Sequence, residues 1–146
     1  MQEYDKIIDN LYVGNKRVAE LYNKDFDLIV NCTHDVPLPK EHNNCIRLSV
    51  KDDPAEADKL LGEIYKTKVL DTIHDHILNN KKVLVHCWGG VQRSCTVIAC
   101  YLIKYNAITP HQAIEFIRQQ HRIAFFGQIN FIHTINMIHK ANSLKK

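Results

Sequence analysis

The chain has 146 residues and a formal net charge of +3, with 45% hydrophobic and 24% charged residues. This length suits one domain with a substantial core, and the composition is typical of a soluble globular protein. The small net charge gives no support for binding to nucleic acid or membranes. No apolar run could span a bilayer and residues 1–10 show no signal peptide, so we expect a cytoplasmic protein, with the nucleus as the alternative.

The cysteine pattern bears on the redox environment of the chain. The number of cysteines is odd and no metal-type spacing links them, which predicts a reducing compartment and no metal site. The cysteines are Cys32, Cys45, Cys87, Cys95 and Cys100.

Short apolar runs in the first third of the chain predict strands around one helix. Ile7–Ile8 and Leu11–Val13 form a predicted hairpin, and Asn15 can cap the helix that follows it. Further buried strands are predicted at 27–31 and 45–50, where apolar residues lie between polar flanks.

Two adjacent aspartates follow the predicted strand at 45–50. Asp53 precedes Pro54 and lies three residues before Glu56, which is the pattern of a capped helix start. Asp53 therefore has a predicted structural task, whereas the same pattern gives Asp52 none.

Residues 55–79 predict one amphipathic helix, because apolar residues recur there at three- and four-residue spacing. His74 and His76 are two residues apart, so a helix would point them to different faces. We therefore expect both to be surface residues rather than metal ligands.

The stretch from 82 to 105 predicts a strand, a tight loop and a helix. Val83–Val85 is apolar, and residues 95–105 are mostly apolar, as expected of a buried central helix. Between them, Gly89 and Gly90 allow backbone conformations that other residues avoid. Such a loop can turn successive N–H groups inward and bind an anion at the helix N-terminus.

Two side chains of this loop indicate the chemistry. Arg93 carries a planar, permanently charged guanidinium that fits two phosphate oxygens at once. Cys87 faces the same positive field, in which a thiol ionises easily, and the thiolate is the nucleophilic form. The pattern therefore predicts attack of the Cys87 sulfur on a bound phosphate.

Two more helices are predicted in the last third of the chain. Thr109, Pro110 and Gln112 form a capping pattern, and a final helix is expected at 128–141. The expected apolar stripe of the final helix consists of Phe131, Ile132, Ile135 and Ile138. Strands that alternate with helices predict an α/β domain with a central, partly parallel sheet, whose sites lie beyond the carboxyl ends of the strands.

The sequence around the cysteine resembles the signature of the cysteine-based protein tyrosine phosphatases. Cys87 and Arg93 are separated by five residues, with His86 before the cysteine, Gly90 at the glycine position and Ser94 after the arginine. The short chain and the flanking segments look like the small dual-specificity phosphatases of this superfamily.

The resemblance implies a fold and an activity. The expected fold is a single compact α/β domain over residues 1–146, with a central, mostly parallel five-stranded sheet flanked by helices. The expected reaction is hydrolysis of phosphotyrosine and phosphoserine or phosphothreonine monoesters through a phosphocysteine intermediate. The implied partner is a phosphoprotein substrate, without a cofactor, metal, membrane or nucleic acid, and the oligomeric state stays open.

The resemblance also implies roles for individual residues. Cys87 would attack phosphorus, Arg93 would bind the phosphate, and Ser94 would hydrogen-bond the sulfur. His86 would orient the cysteine backbone and help to lower the pKa of the thiol without touching substrate. The residues expected to bind the substrate phosphate are Trp88, Gly89, Gly90, Val91, Gln92 and Arg93.

The proton donor to the leaving oxygen is a carboxylic acid in this family, on a loop that precedes the cysteine. Asp52 and Asp53 both fit that position. Asp52 matches the family aspartate when the strand residues 46–50 are aligned, and it is the favoured general acid. Asp53 remains the alternative.

Three residues depart from the family pattern and bear on substrate choice: Trp88 is unusually large, and Gln92 and Cys95 stand where small residues are usual. The alternative functions are an RNA 5′-triphosphatase, a phosphoinositide phosphatase and a non-catalytic phosphate-binding pseudophosphatase. Peroxide is expected to oxidise Cys87 reversibly, and Cys95 is one candidate for its disulfide partner.

Overall fold

The computed structural model describes residues 4–144, which form one five-stranded sheet in the order β1-β2-β5-β3-β4. The strands are β1 (Asp5–Ile8), β2 (Leu11–Gly14), β3 (Leu28–Asn31), β4 (Cys45–Arg47) and β5 (Val83–His86). β1 pairs antiparallel with β2, and every other pair of neighbouring strands is parallel. The predicted mostly parallel α/β sheet is therefore confirmed.

Six α-helices surround this sheet in the described part of the chain. They are α1 (Lys16–Tyr22), α2 (Ala57–Thr67), α3 (Val69–Leu78), α4 (Arg93–Asn106), α5 (Pro110–Gln120) and α6 (Ile132–Leu144). None of the helices among residues 4–144 combines the length and the apolar character that a bilayer-spanning segment needs. The expected absence of a signal peptide concerns residues 1–10, of which 1–3 lie outside the described residues.

Both faces of the sheet are covered, because successive side chains of a strand point to opposite faces. In β5, Val83 and Val85 belong to the large core under α2 to α6, whereas Leu84 belongs to a smaller cluster. The smaller cluster also holds Ile29 of β3 and Val18 of α1. Helices on both faces explain why the central strands are apolar throughout rather than alternating.

Three predicted helix caps are confirmed. The Asn15 side chain accepts a hydrogen bond from Val18 N at 3.1 Å at the start of α1. Asp53 caps a 3-10 turn, Pro54–Glu56, by accepting from Ala55 N. Thr109 and Gln112 form a reciprocal capping box at the start of α5.

The prediction of a single helix over 55–79 is wrong, because the segment forms two helices, α2 and α3, that meet at Lys68. Lys68 has φ 56° and ψ 33°, the left-handed conformation that ends α2. The break lets the two halves pack differently: α2 lies against α6, whereas α3 lies against α4, β3 and β5. Apolar spacing continues across the junction and therefore did not reveal it.

The prediction that His74 and His76 are surface residues holds only in part, because both are half-buried. The His74 ring stacks on Tyr105 with 3.8 Å between centroids, and its Nδ1 lies 2.9 Å from the Tyr101 hydroxyl. His76 Nδ1 lies 2.8 Å from the carbonyl oxygen of Thr72.

The strand predicted at 45–50 is shorter than expected. Leu48 N–H still donates to Asn31 O at 2.8 Å, but Ser49 N–H donates to the Glu63 carboxylate instead of a strand. The final helix begins at Ile132 rather than at 128, and Ile132 is exposed rather than part of the apolar stripe.

Parallel pairing brings the carboxyl ends of the central strands to one edge of the sheet. Gly14 and Asn31 both lie opposite His86, the last residue of β5. Cys32 N–H donates to His86 O at 2.8 Å, and Lys16 N–H donates to Trp88 O at 3.1 Å. The segments that follow β2, β3 and β5 therefore meet where Cys87 begins its loop.

Candidate functional site

Cys87 lies at the bottom of the loop between β5 and α4, and only 2% of its surface is exposed. Gly90 N–H donates to its sulfur over 3.3 Å, and the Ser94 hydroxyl oxygen lies 3.2 Å from the same Sγ. Both groups can donate to a thiolate. The geometry therefore places two hydrogen-bond donors around the predicted nucleophile.

Gly90 cannot be replaced without distorting this loop. Its φ is +72°, a conformation that residues with a side chain rarely adopt. A Cβ at this position would also lie 3.0 Å from the carbonyl oxygen of Gly14. Both the backbone conformation and the close approach of β2 explain the glycine.

Arg93 is the first residue of α4 and is 6% exposed. Its NH1 group donates to Val50 O at 2.9 Å, which ties the cysteine loop to the segment after β4. Its Nε is buried and has no hydrogen-bond partner among residues 4–144. An unpartnered N–H of this kind is what the predicted phosphate site requires.

The structure separates the two candidate acids. Asp53 Oδ1 accepts from Ala55 N at 2.9 Å, so its carboxylate is engaged in capping. Asp52 Oδ1 accepts instead from the side-chain amide of Asn130 at 3.0 Å. Glu56 does not complete a capping box at Asp53, because its Oε1 accepts from Lys51 N.

Asn130 belongs to the segment 121–131, which follows α5 and lies over the cysteine loop. The Gln92 side chain binds this segment: its amide nitrogen donates to Phe126 O and Gln128 O, and its Oε1 accepts from Asn130 N at 3.0 Å. This use of the residues up to Asn130 explains why α6 begins only at Ile132. Gln92 therefore connects the cysteine loop, through Asn130, to Asp52.

Asn130 and His121 are the residues that sequence reasoning missed at this site. Asn130 lies 78 positions from Asp52, and His121 lies 31 positions from Gly90, whose carbonyl oxygen is 2.7 Å from its Nε2. Neither belongs to a local motif, and the sequence alone gives no signal for either contact.

His86 is fully buried, and its Nδ1 lies 3.3 Å from Cys87 O. Burial lowers the pKa of His86 from 6.5 to about 4, so the ring is neutral at pH 7. A neutral ring protonated at Nδ1 can donate to the cysteine carbonyl, in keeping with the expected orienting contact. Any influence on the sulfur would then come from this contact and not from a charge on the histidine.

Trp88 turns outward from the loop rather than into the core. It is 55% exposed, and Lys16 Nζ lies 4.3 Å from the centroid of its ring. The structure therefore places a large aromatic surface directly beside Cys87.

All five cysteines are free thiols. Burial raises the pKa of Cys32 and of Cys95 well above the usual value, so both are neutral. The Cys95 thiol lies 3.5 Å from Gly90 O. Among residues 4–144 no group of three or more His, Cys, Asp or Glu side chains is arranged to hold a metal ion.

Comparison with known proteins agrees with this geometry. Residues 11–141 match the family model of the dual specificity phosphatase catalytic domain. Protein 123R of Invertebrate iridescent virus 6, a candidate tyrosine phosphatase, is 33% identical over 127 residues, which cover 84% of this chain and 83% of that protein. Dual specificity protein phosphatase 1B of Arabidopsis thaliana is 28% identical over 130 residues, or 85% of this chain and 75% of the relative.

Other relatives are longer than the matched region. Rat cyclin-dependent kinase inhibitor 3 matches 50% of this chain, and the match spans only 34% of the relative's length. Among solved structures, human DUSP28 superposes with a TM-score of 0.84 at 21% identity, and the match covers 100% of this chain and 97% of that chain. This similarity establishes the fold. The family match over most of the chain shows more, and the chain belongs to the dual specificity phosphatase family.

Proposed function

We propose that this chain is a catalytic domain over residues 1–146 that hydrolyses phosphotyrosine and phosphoserine or phosphothreonine in proteins through a phosphocysteine at Cys87. One observation carries the proposal: the Cys87 sulfur has two hydrogen-bond donors within 3.3 Å, at the start of a helix whose first residue, Arg93, keeps a buried N–H without a partner among the described residues. A thiolate and a phosphate group would both be stabilised there.

In the first step, Cys87 Sγ forms a bond to phosphorus while the bond from phosphorus to the ester oxygen breaks. Asp52 gives its proton to the departing oxygen, which leaves as an alcohol or phenol. Arg93 and the loop amides bind the equatorial oxygens of the transition state. The hydrogen bond from Asn130 to Asp52 Oδ1 orients the carboxyl group and leaves the other oxygen for the proton.

In the second step, water attacks the phosphocysteine, the sulfur–phosphorus bond breaks, and Asp52 accepts the proton of the water. Ser94 Oγ, 3.2 Å from Sγ, stabilises the departing thiolate by a hydrogen bond. Positive charge is supplied by Arg93, the loop amides and the N-terminus of α4, so the mechanism requires no metal or cofactor.

The substrate preference follows from the mouth of the site. We propose a shallow mouth, which would admit the short alkyl esters of serine and threonine as well as the longer phenyl ester of tyrosine. The exposed ring of Trp88 can stack on a phenol but offers little to an alkyl ester. We therefore propose dual specificity with a preference for phosphotyrosine.

The test is turnover of an aryl phosphate, then of matched phosphotyrosine and phosphothreonine peptides, a phosphoinositide and an RNA 5′-triphosphate. Wild type is compared with Cys87→Ser purified in the same way. Release of phosphate from both peptides by wild type alone supports the proposal. Turnover confined to the lipid or the RNA would assign the function to that substrate, and phosphate binding without turnover of any substrate would indicate a pseudophosphatase.

A further inference from the structure

His121 lies at the end of α5, with its ring between β1 and the cysteine loop. Its Nδ1 is 2.6 Å from a carboxylate oxygen of Asp5, and its Nε2 is 2.7 Å from Gly90 O. The side chain is 7% exposed, whereas that of Asp5 is 50% exposed. A buried ring therefore connects the edge strand to a peptide group three residues after Cys87.

The two partners limit the hydrogen bonds that this ring can make. A carboxylate and a peptide carbonyl can only accept hydrogen bonds, and a neutral imidazole has only one N–H. A ring that donates to both partners at once must carry a proton on each nitrogen. The carboxylate of Asp5 lies where it would balance the charge of such a ring.

The other ionisable groups around this ring do not replace Asp5. The Cys95 thiol shares Gly90 O, but burial raises its pKa well above the usual value and it stays neutral. Arg118, one turn earlier in α5, directs its guanidinium to the carbonyl oxygens of Ala124 and Phe125 and lies near Glu115.

The contact with Gly90 O fixes the direction of a neighbouring N–H group. The peptide bonds of the described chain are trans, so the C=O of Gly90 and the N–H of Val91 point in opposite directions across one planar peptide. With Gly90 O held against His121, Val91 N–H points away from the histidine. A charged donor on the carbonyl also polarises the peptide, which makes that N–H a stronger donor.

We propose that Asp5 and His121 form a positioning pair for the cysteine loop. In this proposal the His121 imidazolium holds and polarises the Gly90–Val91 peptide, so that Val91 N–H binds an oxygen of the transferring phosphoryl group. The proposal deepens the proposed function and rests on it for the kinetic assay. Asp5 and His121 touch neither substrate nor sulfur, and they act through the peptide.

Three variants separate charge, hydrogen bonding and packing. Asp5→Asn keeps an acceptor for Nδ1 but removes the charge that favours imidazolium. His121→Gln offers a neutral N–H to Gly90 O, and His121→Leu offers none. Because charged hydrogen bonds exceed neutral ones in strength, we expect Asp5→Asn and His121→Gln to lower kcat roughly tenfold, and His121→Leu to lower it further.

The readout that distinguishes positioning from mere stability is the affinity for two anions. Vanadate adopts the geometry of the transition state, whereas inorganic phosphate resembles the product. We expect vanadate affinity to fall with kcat and phosphate affinity to change less. Asp5→Asn should add nothing in the His121→Gln background, because Asp5 acts only through the histidine.

Matched controls come from a second Asp–His pair. His133 and Asp58 lie 3.1 Å apart on the surface, so Asp58→Asn and His133→Gln should leave kcat unchanged. Urea unfolding of every variant shows whether it is folded.

Folded Asp5→Asn and His121→Gln variants with wild-type kcat and vanadate affinity would overturn the proposal. Equal losses of phosphate and vanadate affinity would also overturn it, since they indicate general disorder of the loop. If wild type hydrolyses no phosphomonoester, the proposed function fails, but calorimetric binding of vanadate and phosphate to the same variants still decides the role of the pair.

Discussion

Asn130 donates a hydrogen bond from its side-chain amide to Asp52 Oδ1 at 3.0 Å, across 78 positions of the chain. The backbone N–H of Asn130 is held at the same time by the Gln92 side chain. The Asp52 carboxyl group is thus oriented from the cysteine loop and not only by its own segment. This arrangement is the basis of the first prediction.

Replacement of Asn130 by alanine should lower kcat by roughly tenfold for an ester with a basic leaving group, because an unoriented acid protonates the departing oxygen less efficiently. Esters with acidic leaving groups need little protonation and should be affected least. The measurement is kcat over a series of aryl phosphates of graded leaving-group pKa.

A double-mutant cycle provides the control for Asn130→Ala. In the Asp52→Asn background the alanine substitution should have no further effect, since the amide then has no acid to orient. Asn23→Ala removes a comparable exposed amide contact to Glu20 O and should leave the series unchanged. An Asn130→Ala loss that is the same for all leaving groups would contradict the orienting role.

The neighbouring aspartates should differ sharply when each is changed to asparagine. Asp52→Asn should lower kcat by roughly 10²–10⁴-fold for poor leaving groups, which is the usual contribution of a general acid. Asp53→Asn should alter kcat little, because asparagine also caps helices and the contact to Ala55 N can persist. Parallel assays of the two variants decide the assignment, and a larger effect at Asp53 would reverse it.

Changes to Cys87 and to Arg93 should abolish or strongly reduce turnover without unfolding the domain. Cys87→Ser replaces a thiol by a hydroxyl that ionises far less, so turnover should disappear while phosphate binding remains. Arg93→Lys should lower kcat by roughly a thousandfold, since an ammonium cannot reproduce the planar fork or its contact with Val50 O. Trapping of a phosphoenzyme tests the covalent step, and calorimetry tests whether phosphate binding remains. Appreciable turnover by Cys87→Ser would refute the covalent mechanism.

Sequence reasoning succeeded where the determining interactions are local. The caps at Asn15 and Thr109 depend on residues a few positions apart. These capping patterns predict structure because the hydrogen bonds that they describe close within one turn.

Sequence reasoning failed where contacts between distant segments determine the local structure. The break at Lys68 lies inside a continuous apolar pattern and exists because α2 and α3 pack against different elements. The contacts of Asn130 and His121 join segments that are distant along the chain, so no spacing rule could identify them. The same holds for His74, which its partners Tyr101 and Tyr105 cover in part.

The buried histidine beside Cys87 should make the domain sensitive to acid. His86 is protonated near pH 6.5 in the unfolded chain but only at about pH 4 in the folded one. Between these values the unfolded state binds more protons, so the free energy of unfolding should fall as pH falls. This one group should lower the free energy of unfolding by roughly 3 kcal/mol when the pH drops from above 6.5 to below 4.

Urea unfolding of wild type and His86→Asn across this range isolates the effect. Asparagine cannot be protonated, and its amide can still donate to the Cys87 carbonyl, so the variant should lose less stability between pH 6.5 and 4. For His111→Asn, at an exposed position, the free energy of unfolding should change with pH as it does in wild type. If the free energy of unfolding changed with pH equally in His86→Asn and wild type, the buried ring would not resist protonation.

The exposed ring of Trp88 should set the balance between phosphotyrosine and phosphothreonine. Stacking on a phenol is worth roughly 1 kcal/mol, so Trp88→Ala should lower kcat/KM for a phosphotyrosine peptide by roughly fivefold. An alkyl ester offers no aromatic face, and kcat/KM for the matched phosphothreonine peptide should change little.

Loss of the ring also frees Lys16, whose Nζ now lies 4.3 Å from the ring centroid. Lys16→Ala therefore separates the effect of the ring from that of the cation, and Tyr65→Ala, an equally exposed aromatic residue on α2, serves as the matched control. An unchanged ratio of the two specificity constants in Trp88→Ala would remove the tryptophan from substrate choice, and a wild-type enzyme inert towards phosphothreonine peptides would show that the site is too deep for alkyl esters.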